Sequence, residues 1–427
     1  MKRNATILCC VTLFLLARLL PAAQLRYVVQ VSVDGLGAKY LEYYVSNAPA
    51  QFPTFVRLMQ EGAFTFNARC DYDISETVPN HASIFTGRPV LQPSGQSNTV
   101  HHGYNNNNPG PADTVHANGN TNVPYKASFF DVAHDYGLST AFYAGKSKLT
   151  FLDRSYDGVN GAVDLLQPDN GKDKIDYAAL ADISSTSISN EINQVITNLS
   201  SAAPYRYTFI HIAEPDVTGH AVNWGPAGWS NAVRMVDGQL GRIMDAIQAS
   251  AVLSNATALI VSADHGGGGV VRNAHTEAYQ ITNYTIPFFL WAPGIGGHTD
   301  AYALFANRGN PGTNRTDYNT QPQPLRHLDG SNLALGLLGL PPIPGSYSVP
   351  MLDANDVHLS TATALDGTHT LWWPGSASAF VLESADTISP STTWQAITNG
   401  LVSNAGMFVY SFTNSSANVQ FYRLRKL

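Results

Sequence analysis

Cysteine is nearly absent, with three thiols in 427 residues. Cys9 and Cys10 lie inside an N-terminal apolar run, so beyond that run only Cys70 remains, and one thiol cannot close an internal disulfide. A chain of this length can bury a sizeable core without one. Charge is also sparse, at 13% against 44% hydrophobic residues, which excludes an intrinsically disordered chain. Basic residues are outnumbered by acidic ones, 24 to 31. That balance argues against a stable nucleic-acid complex on a generic basic surface, while leaving room for a local basic pocket. No internal repeat stands out.

The N-terminus reads as an export leader. Lys2 and Arg3 precede an apolar run, and Ala22-Ala23-Gln24 offers a small-residue cleavage site. Arg18 interrupts the run and Pro21 follows it, which favours a cleaved signal peptide over residues 1–23 rather than a membrane anchor. Removal would leave 21 basic against 31 acidic residues, a net charge of −10. The expected location is secreted or periplasmic, with no membrane span in the mature chain.

Five short apolar runs read as buried strands: 27–33, 140–144, 207–212, 258–262 and 286–291. Helical patterns lie between them, the clearest over 230–250, where Val233, Val236, Leu240, Ile243 and Ile247 recur at helical spacing. Alternation of this kind implies an α/β domain with a mainly parallel central sheet flanked by helices, expected over 24–352. The stretch 91–126, rich in Asn, Gly, Pro and His, reads as a long excursion from the sheet, and 309–324 looks similar. A short apolar helix is expected over 331–340. Over 353–427, five short strand candidates (368–373, 379–384, 394–398, 407–412 and 419–424) suggest a small all-β sandwich module. It resembles the β-modules that close many secreted bacterial proteins.

Ionisable residues follow the strand candidates. The first runs into Asp34, the second into Lys146, the third into Glu214, Asp216 and His220, and the fourth into Asp264 and His265. Ligands of open α/β sheets bind outside the carboxyl ends of the strands. One acid there is usually a turn residue or helix cap; repetition at one edge points to a site. Mixed Asp and His donors suit zinc or another first-row divalent ion better than calcium. In Glu76–Gly87, Pro79 suits the first turn of a helix and Gly87 its end, which puts Thr77 at the N-terminus, where backbone donors favour anions. An ordinary N-cap threonine is the competing interpretation.

These blocks resemble the type I phosphodiesterase/nucleotide pyrophosphatase family of the alkaline phosphatase superfamily, over roughly residues 27–345. They occur in the family's order: Val33-Asp34-Gly35, Thr77-Val78-Pro79-Asn80-His81, Glu214-Pro215-Asp216-Val217-Thr218-Gly219-His220 and Asp264-His265-Gly266. His275 follows, with Pro293 eighteen residues beyond it. The resemblance implies an alkaline-phosphatase-like core and two divalent metal ions, with zinc the expected identity. Asp216, His220 and His275 would hold one ion; Asp34, Asp264, His265 and the Thr77 oxygen would hold the other. Asn80 matches the family's Asn that donates to a phosphoryl oxygen. Thr276-Glu277 stands where family members have Gly-Tyr after the late histidine. His298 and His327 are rivals to His275, and a loop or surface role is expected of both.

The implied chemistry is attack by Thr77 on phosphorus, a phospho-threonine intermediate, and its hydrolysis by water. The expected substrate is small and phosphorylated, a nucleotide among the candidates, and the bonds cleaved are phosphodiester or pyrophosphate. Gly145-Lys146-Ser147-Lys148 resembles the Lys-x-Lys segment of phosphonoacetate hydrolases. That leaves open substrate binding by Lys146 and Lys148 in a phosphomonoesterase or phosphonate hydrolase, or simply a solvated basic turn. Sulfatase relatives need a Cys or Ser nucleophile in a Cys/Ser-x-Pro-x-Arg box, which Thr77 and Asn80-His81 do not provide. An inactive surface-binding protein is the non-enzymatic alternative.

Overall fold

Runs rich in Val, Ile and Phe are best satisfied between two apolar layers, and they form the middle of one eight-stranded sheet. The computed structural model describes residues 25–164, 171–182, 187–350 and, from 359 to 426, all but 365, 376, 388–391 and 414–419. The expected leader and the expected domain boundary at 352/353 lie outside the described residues. The strands are β1 (Tyr27–Val33), β2 (Ala63–Arg69), β3 (Thr140–Ala144), β4 (Tyr177–Leu180), β5 (Tyr207–Ile212), β6 (Thr257–Ser262), β7 (Thr285–Trp291) and β8 (Thr299–Asp300). Their order is β4-β3-β5-β1-β6-β7-β2-β8. β4, β3, β5, β1 and β6 pair in parallel. β7 runs antiparallel to both its neighbours, β6 and β2.

Three of the five expected strands match to the residue, and the other two begin one residue earlier. β2, β4 and β8 were not expected. β2 mixes polar residues into its run, β4 is largely exposed, and β8 has two residues. Register then sets the site: Val33 pairs with Ile212, Ala144 with His211, and Ser32 with Ser262. The residues following β1, β3, β5 and β6 therefore emerge at one level.

Helices cover both faces. Along the helix Ala227–Ala249, Val233, Val236, Leu240, Ile243 and Ile247 are all fully buried. Asp237 lies on the same buried face, where its carboxylate accepts from Thr54 N (3.1 Å) and Phe55 N (2.8 Å). It thereby caps the helix Pro53–Glu61, whose own N-cap residue, Phe52, has no side-chain acceptor. The expected apolar helix runs Asp329–Leu337. The 91–126 excursion contains one short helix, Val115–Asn118, and buries His102, Tyr104, Asn120 and Lys126. No described helix is long and apolar enough to cross a membrane.

The C-terminal residues form two antiparallel sheets. One joins β9 (Ser360–Thr363), β10 (Thr368–Pro374), β13 (Leu401–Asn404) and β14 (Met407–Thr413) in the order β13-β14-β10-β9. The other joins β11 (Phe380–Ala385), β12 (Gln395–Ala396) and β15 (Phe421–Lys426) in the order β12-β11-β15. Leu371, Trp373, Ala377 and Leu382 make a small core separate from that of the large sheet. Asn404 Oδ1 accepts from Gly345 N (2.8 Å) and Tyr136 Oη donates to Thr370 Oγ1 (3.0 Å), tying the two parts together.

Asp237→Ala should cost about 0.5–2 kcal/mol through loss of the cap. Urea unfolding should show a lower midpoint with an unchanged slope.

Candidate metal centre

Each strand end contributes to one cluster. Asp34 leaves β1, and Gly35 turns the chain at φ +68°; a Cβ there would stand 3.0 Å from Asp216 Cα. Glycine is therefore required by both conformation and space. After β5, the helix Glu214–Val222 carries Asp216 and His220 four residues apart, hence on one face. After β6 come Asp264 and His265. Asp264 Oδ1 accepts from Gly35 N (3.1 Å) and His265 N (2.9 Å), which fixes the carboxylate and leaves Oδ2. His275 arrives from the loop before β7 and stacks on His265 with ring centroids 3.7 Å apart.

Two triads result, Asp216–His220–His275 and Asp34–Asp264–His265, each with donor atoms within 4.8 Å of one another. The imidazoles are oriented alike. Nδ1 of His220 faces Asn273 O (2.9 Å), that of His265 faces Gly266 O (2.8 Å), and that of His275 faces Ser75 O (2.5 Å). A carbonyl only accepts, so each Nδ1 carries hydrogen and each Nε2 is the nitrogen left able to coordinate. Asp34 Oδ1, Asp216 Oδ1, Asp264 Oδ2 and His265 Nε2 are buried without a hydrogen-bond partner. Four orphaned donors of this chemistry, facing one another, fit divalent ions of the first transition row. A third acid–imidazole group, His134–Asp135–Asp164, differs in that Lys174 Nζ pairs with both its acids and none of its donor atoms is a buried one left without a hydrogen-bond partner.

Charge is balanced internally by Lys146. Its Nζ lies 2.6 Å from both Asp34 Oδ2 and Asp216 Oδ2, bridging the triads, and 3.5 Å from Thr77 Oγ1. Burial alone would raise Asp34, but Lys146, His211 and His265 outweigh it and hold the carboxyl well below its usual range. Asp264 goes the other way. Burial and the neighbouring Asp34 charge push it up to about 8. Burial opposes protonation of His265, but Asp264 and Asp34 raise it to about 9. Burial and His265 lower His275 to about 3.

Thr77 opens the helix Thr77–Thr86, whose ten residues are all buried, and Gly87 ends it at φ +63°. The N-cap position belongs to Glu76, which provides no side-chain acceptor, so Thr77 is not an N-cap threonine. The acceptor comes from the Asn-rich loop: Asn107 Oδ1 receives Val78 N and Lys148 Nζ, each at 3.0 Å. Asn80 is fully buried, and its Nδ2 donates to Asp264 O at 2.8 Å.

The sequence matches the type I phosphodiesterase/nucleotide pyrophosphatase family over residues 28–300. The chain belongs to this family. It is accordingly a hydrolase of the alkaline phosphatase superfamily, whose members act on phosphoryl or sulfuryl esters. No curated protein matches it. Among solved structures, an inactive variant of murine ectonucleotide pyrophosphatase/phosphodiesterase 5 in complex with AMP is 15% identical, with TM-score 0.45, covering 75% of this chain and 96% of its own. A Vibrio parahaemolyticus protein of the alkaline phosphatase superfamily is 14% identical, with TM-score 0.46 and coverages of 88% and 82%. Phosphonoacetate hydrolase from Sinorhizobium meliloti, in complex with phosphonoformate, is 18% identical, with TM-score 0.36 and 57% of each chain covered.

For a type I phosphodiesterase family member, the gathering of Asp34, Asp216, His220, Asp264, His265 and His275 follows the order of its sequence blocks. Thr77 and Lys146 meet beside them, whereas Lys148 faces Asn107. His298 lies away from the cluster, lining a cavity with Phe64, Asn67 and Asp300. His327 is a buried loop histidine rather than a surface one. Sequence reasoning missed three contributors. His211, the one histidine in the apolar run of β5, sets Nε2 2.9 Å from Asp34 Oδ2. Ser75 receives His275 Nδ1 on its carbonyl and donates Oγ to the His275 carbonyl. Asn107 was hidden in a run of four asparagines, Asn105–Asn108.

Asp264 and His265 hold protons in the folded protein at pH values where an unfolded chain has released them, since unperturbed Asp and His titrate near 3.9 and 6.5. Their stabilisation is thus lost as pH rises through about 8 and 9. Chelator-treated protein should show a falling urea midpoint between pH 7 and 9. Saturating zinc should raise the midpoint, and calorimetry should detect proton release on zinc binding. Asp264→Asn should sharply reduce both zinc effects.

Proposed function

We propose that the protein hydrolyses phosphodiester or nucleotide pyrophosphate bonds with Thr77 as nucleophile. The observation that carries this reading is the position of Thr77 Oγ1. It opens a buried helix and lies 3.5 Å from the lysine nitrogen that bridges both triads. Asp216, His220 and His275 would hold one divalent ion, zinc by donor chemistry, and Asp34, Asp264, His265 and Thr77 the other. When bound, such ions supply positive charge that favours an alkoxide and stabilises the entering and leaving oxygens.

The chain's own residues do the rest. Thr77 Oγ forms a bond to phosphorus as the bond to the ester's leaving oxygen breaks, giving a phospho-threonine, and the hydroxyl proton passes to the departing oxygen. Water then attacks phosphorus, the threonine oxygen departs and takes up a proton, and the phosphoryl product is released. Asn107 Oδ1 engages Val78 N and Lys148 Nζ, so its amide hydrogens face outward from those two contacts and can donate to a phosphoryl oxygen. Asn80 serves the same helix by tying it to the Asp264 turn, with one further amide hydrogen for the substrate.

A second reading, hydrolysis of phosphomonoesters or phosphonates, is favoured by one observation: a single turn supplies two lysines, Lys146 at Asp34 and Asp216 and Lys148 at Asn107. The leader pattern supports a secreted or periplasmic protein. We assign catalysis to 24–352 and treat 353–427 as an accessory β-module.

Thr77→Ala should lower kcat at least about 10³-fold, the scale on which nucleophile removal acts, while zinc content and melting temperature stay close to wild type. Equal turnover by that variant would remove Thr77 from the mechanism. Bis-p-nitrophenyl phosphate, p-nitrophenyl phosphate and phosphonoacetate, assayed side by side on zinc-loaded protein, separate the two readings by which ester has the highest kcat/KM. Asn107→Ala should lower kcat by about 10²-fold, as loss of one donor to developing charge does.

A further inference from the structure

Two histidines beside the triads are buried in a way that packing alone does not explain. His81, on the Thr77 helix, and His211, on β5, have no exposed surface. Each uses one ring nitrogen and leaves the other unpaired. His81 Nδ1 lies 2.7 Å from Thr77 O, and His211 Nε2 lies 2.9 Å from Asp34 Oδ2. Carbonyl and carboxylate oxygens accept, so these two nitrogens carry the hydrogens. His81 Nε2 and His211 Nδ1 have no hydrogen-bond partner among the described residues. An unpaired buried nitrogen is unfavourable, and an apolar side chain at either place would avoid it. The paired nitrogen of each ring must therefore matter.

The rings also meet. His81 stands edge-on to His211, with centroids 4.8 Å apart and planes at 73°, and edge-on to Phe209 at 6.3 Å. Phe209 and His211 alternate along β5 and share a face, so this face seats the Thr77 helix. Asp264 Oδ2 stands 3.6 Å from His81 Nδ1, too far for a hydrogen bond, which leaves Thr77 O as the acceptor.

We infer that His81 and His211 are a pair of positioning residues that fix the distance from Thr77 to Asp34, and so to any ion that Asp34 holds. The inference rests on the reading of Thr77 as nucleophile. His211 holds Oδ2 of Asp34 and leaves Oδ1, which has no hydrogen bond, for the site. His81 holds the backbone carbonyl of Thr77 itself. Contact between the rings ties one anchor to the other. With no exposed surface, neither ring can meet a substrate.

Asparagine places an amide nitrogen near the position of Nδ1 and glutamine near that of Nε2, so the two amides separate the nitrogen from the bulk of the ring. At saturating zinc, with bis-p-nitrophenyl phosphate, His81→Gln and His211→Asn should each lower kcat by up to about 10²-fold at unchanged KM, the scale of an ångström's misplacement. His81→Asn and His211→Gln should restore most of the rate. By calorimetry His211→Asn should weaken zinc binding about 10–100-fold, and His211→Gln should not. The double variant His81→Gln/His211→Asn should lose little more than either single one. Equal effects of the two amides at either position would overturn the inference, and so would losses that multiply in the double variant. Heteronuclear NMR of the ring nitrogens needs no core variant: it should find hydrogen on Nδ1 of His81 and Nε2 of His211, and the opposite tautomers would overturn the inference as well. Absence of turnover by the wild-type protein would sink the phosphodiesterase reading separately, since the tautomers and the zinc series still report on the pair.

Discussion

Asp34, Asp216 and Asp264 are gathered at the carboxyl edge of the sheet with almost no exposure to solvent. Three like charges in so dry a place cannot all be carried at once. Lys146 Nζ sits 2.6 Å from two of the three acids, and Asp264 holds a proton up to about pH 8. The surrounding architecture serves the same balance. Three imidazoles are turned by backbone carbonyls so that their basic nitrogens look inward, and His211 donates to Asp34 from beneath. An arrangement that concentrates acceptors and orphaned lone pairs in this way attracts cations, and it keeps that capacity because each donor is held by hydrogen bonds that do not involve its coordinating atom.

The polar side of the site is assembled from the least regular part of the chain. The 91–126 excursion buries several side chains and sends Asn107 to the start of the Thr77 helix, 29 residues from its hydrogen-bonding partner Val78. A helix whose own N-cap residue gives no side-chain acceptor is thus closed by a distant loop. The position of Thr77 depends on that loop as much as on the sheet.

What could be read from the sequence follows the strength of the local signal. β1, β3 and β5 were legible because predominantly apolar runs have one stable environment, in which the few polar members of β1 and β5 are buried too. β9 and β13 were not, since four-residue strands at a module's surface are too short to show a periodicity. The metal-competent residues were legible because each follows a strand or falls in a motif. His211 was not, because a histidine inside an apolar run looks like core. Asn107 was not, because four consecutive asparagines give no reason to prefer one. Asn80 was legible as a member of its motif, but the pairing of its amide with a backbone carbonyl was not, since such pairing is set by tertiary approach alone. The same is true of the imidazole tautomers, which depend on the carbonyls of Ser75, Gly266 and Asn273.

The reversed direction of β7 has a consequence for how the site can be built. A parallel successor to β6 would require the chain to cross to the far edge of the sheet and return, usually by way of a helix. Because β7 is antiparallel, the 22 residues between Ser262 and Thr285 begin and end at the same edge. The whole segment is free to form one wall of the cleft, from Asp264 through the glycines and valines to His275. Its length can change by insertion at the tip without disturbing strand register, so this hairpin is where a family built on a fixed set of ligands can diversify what it admits.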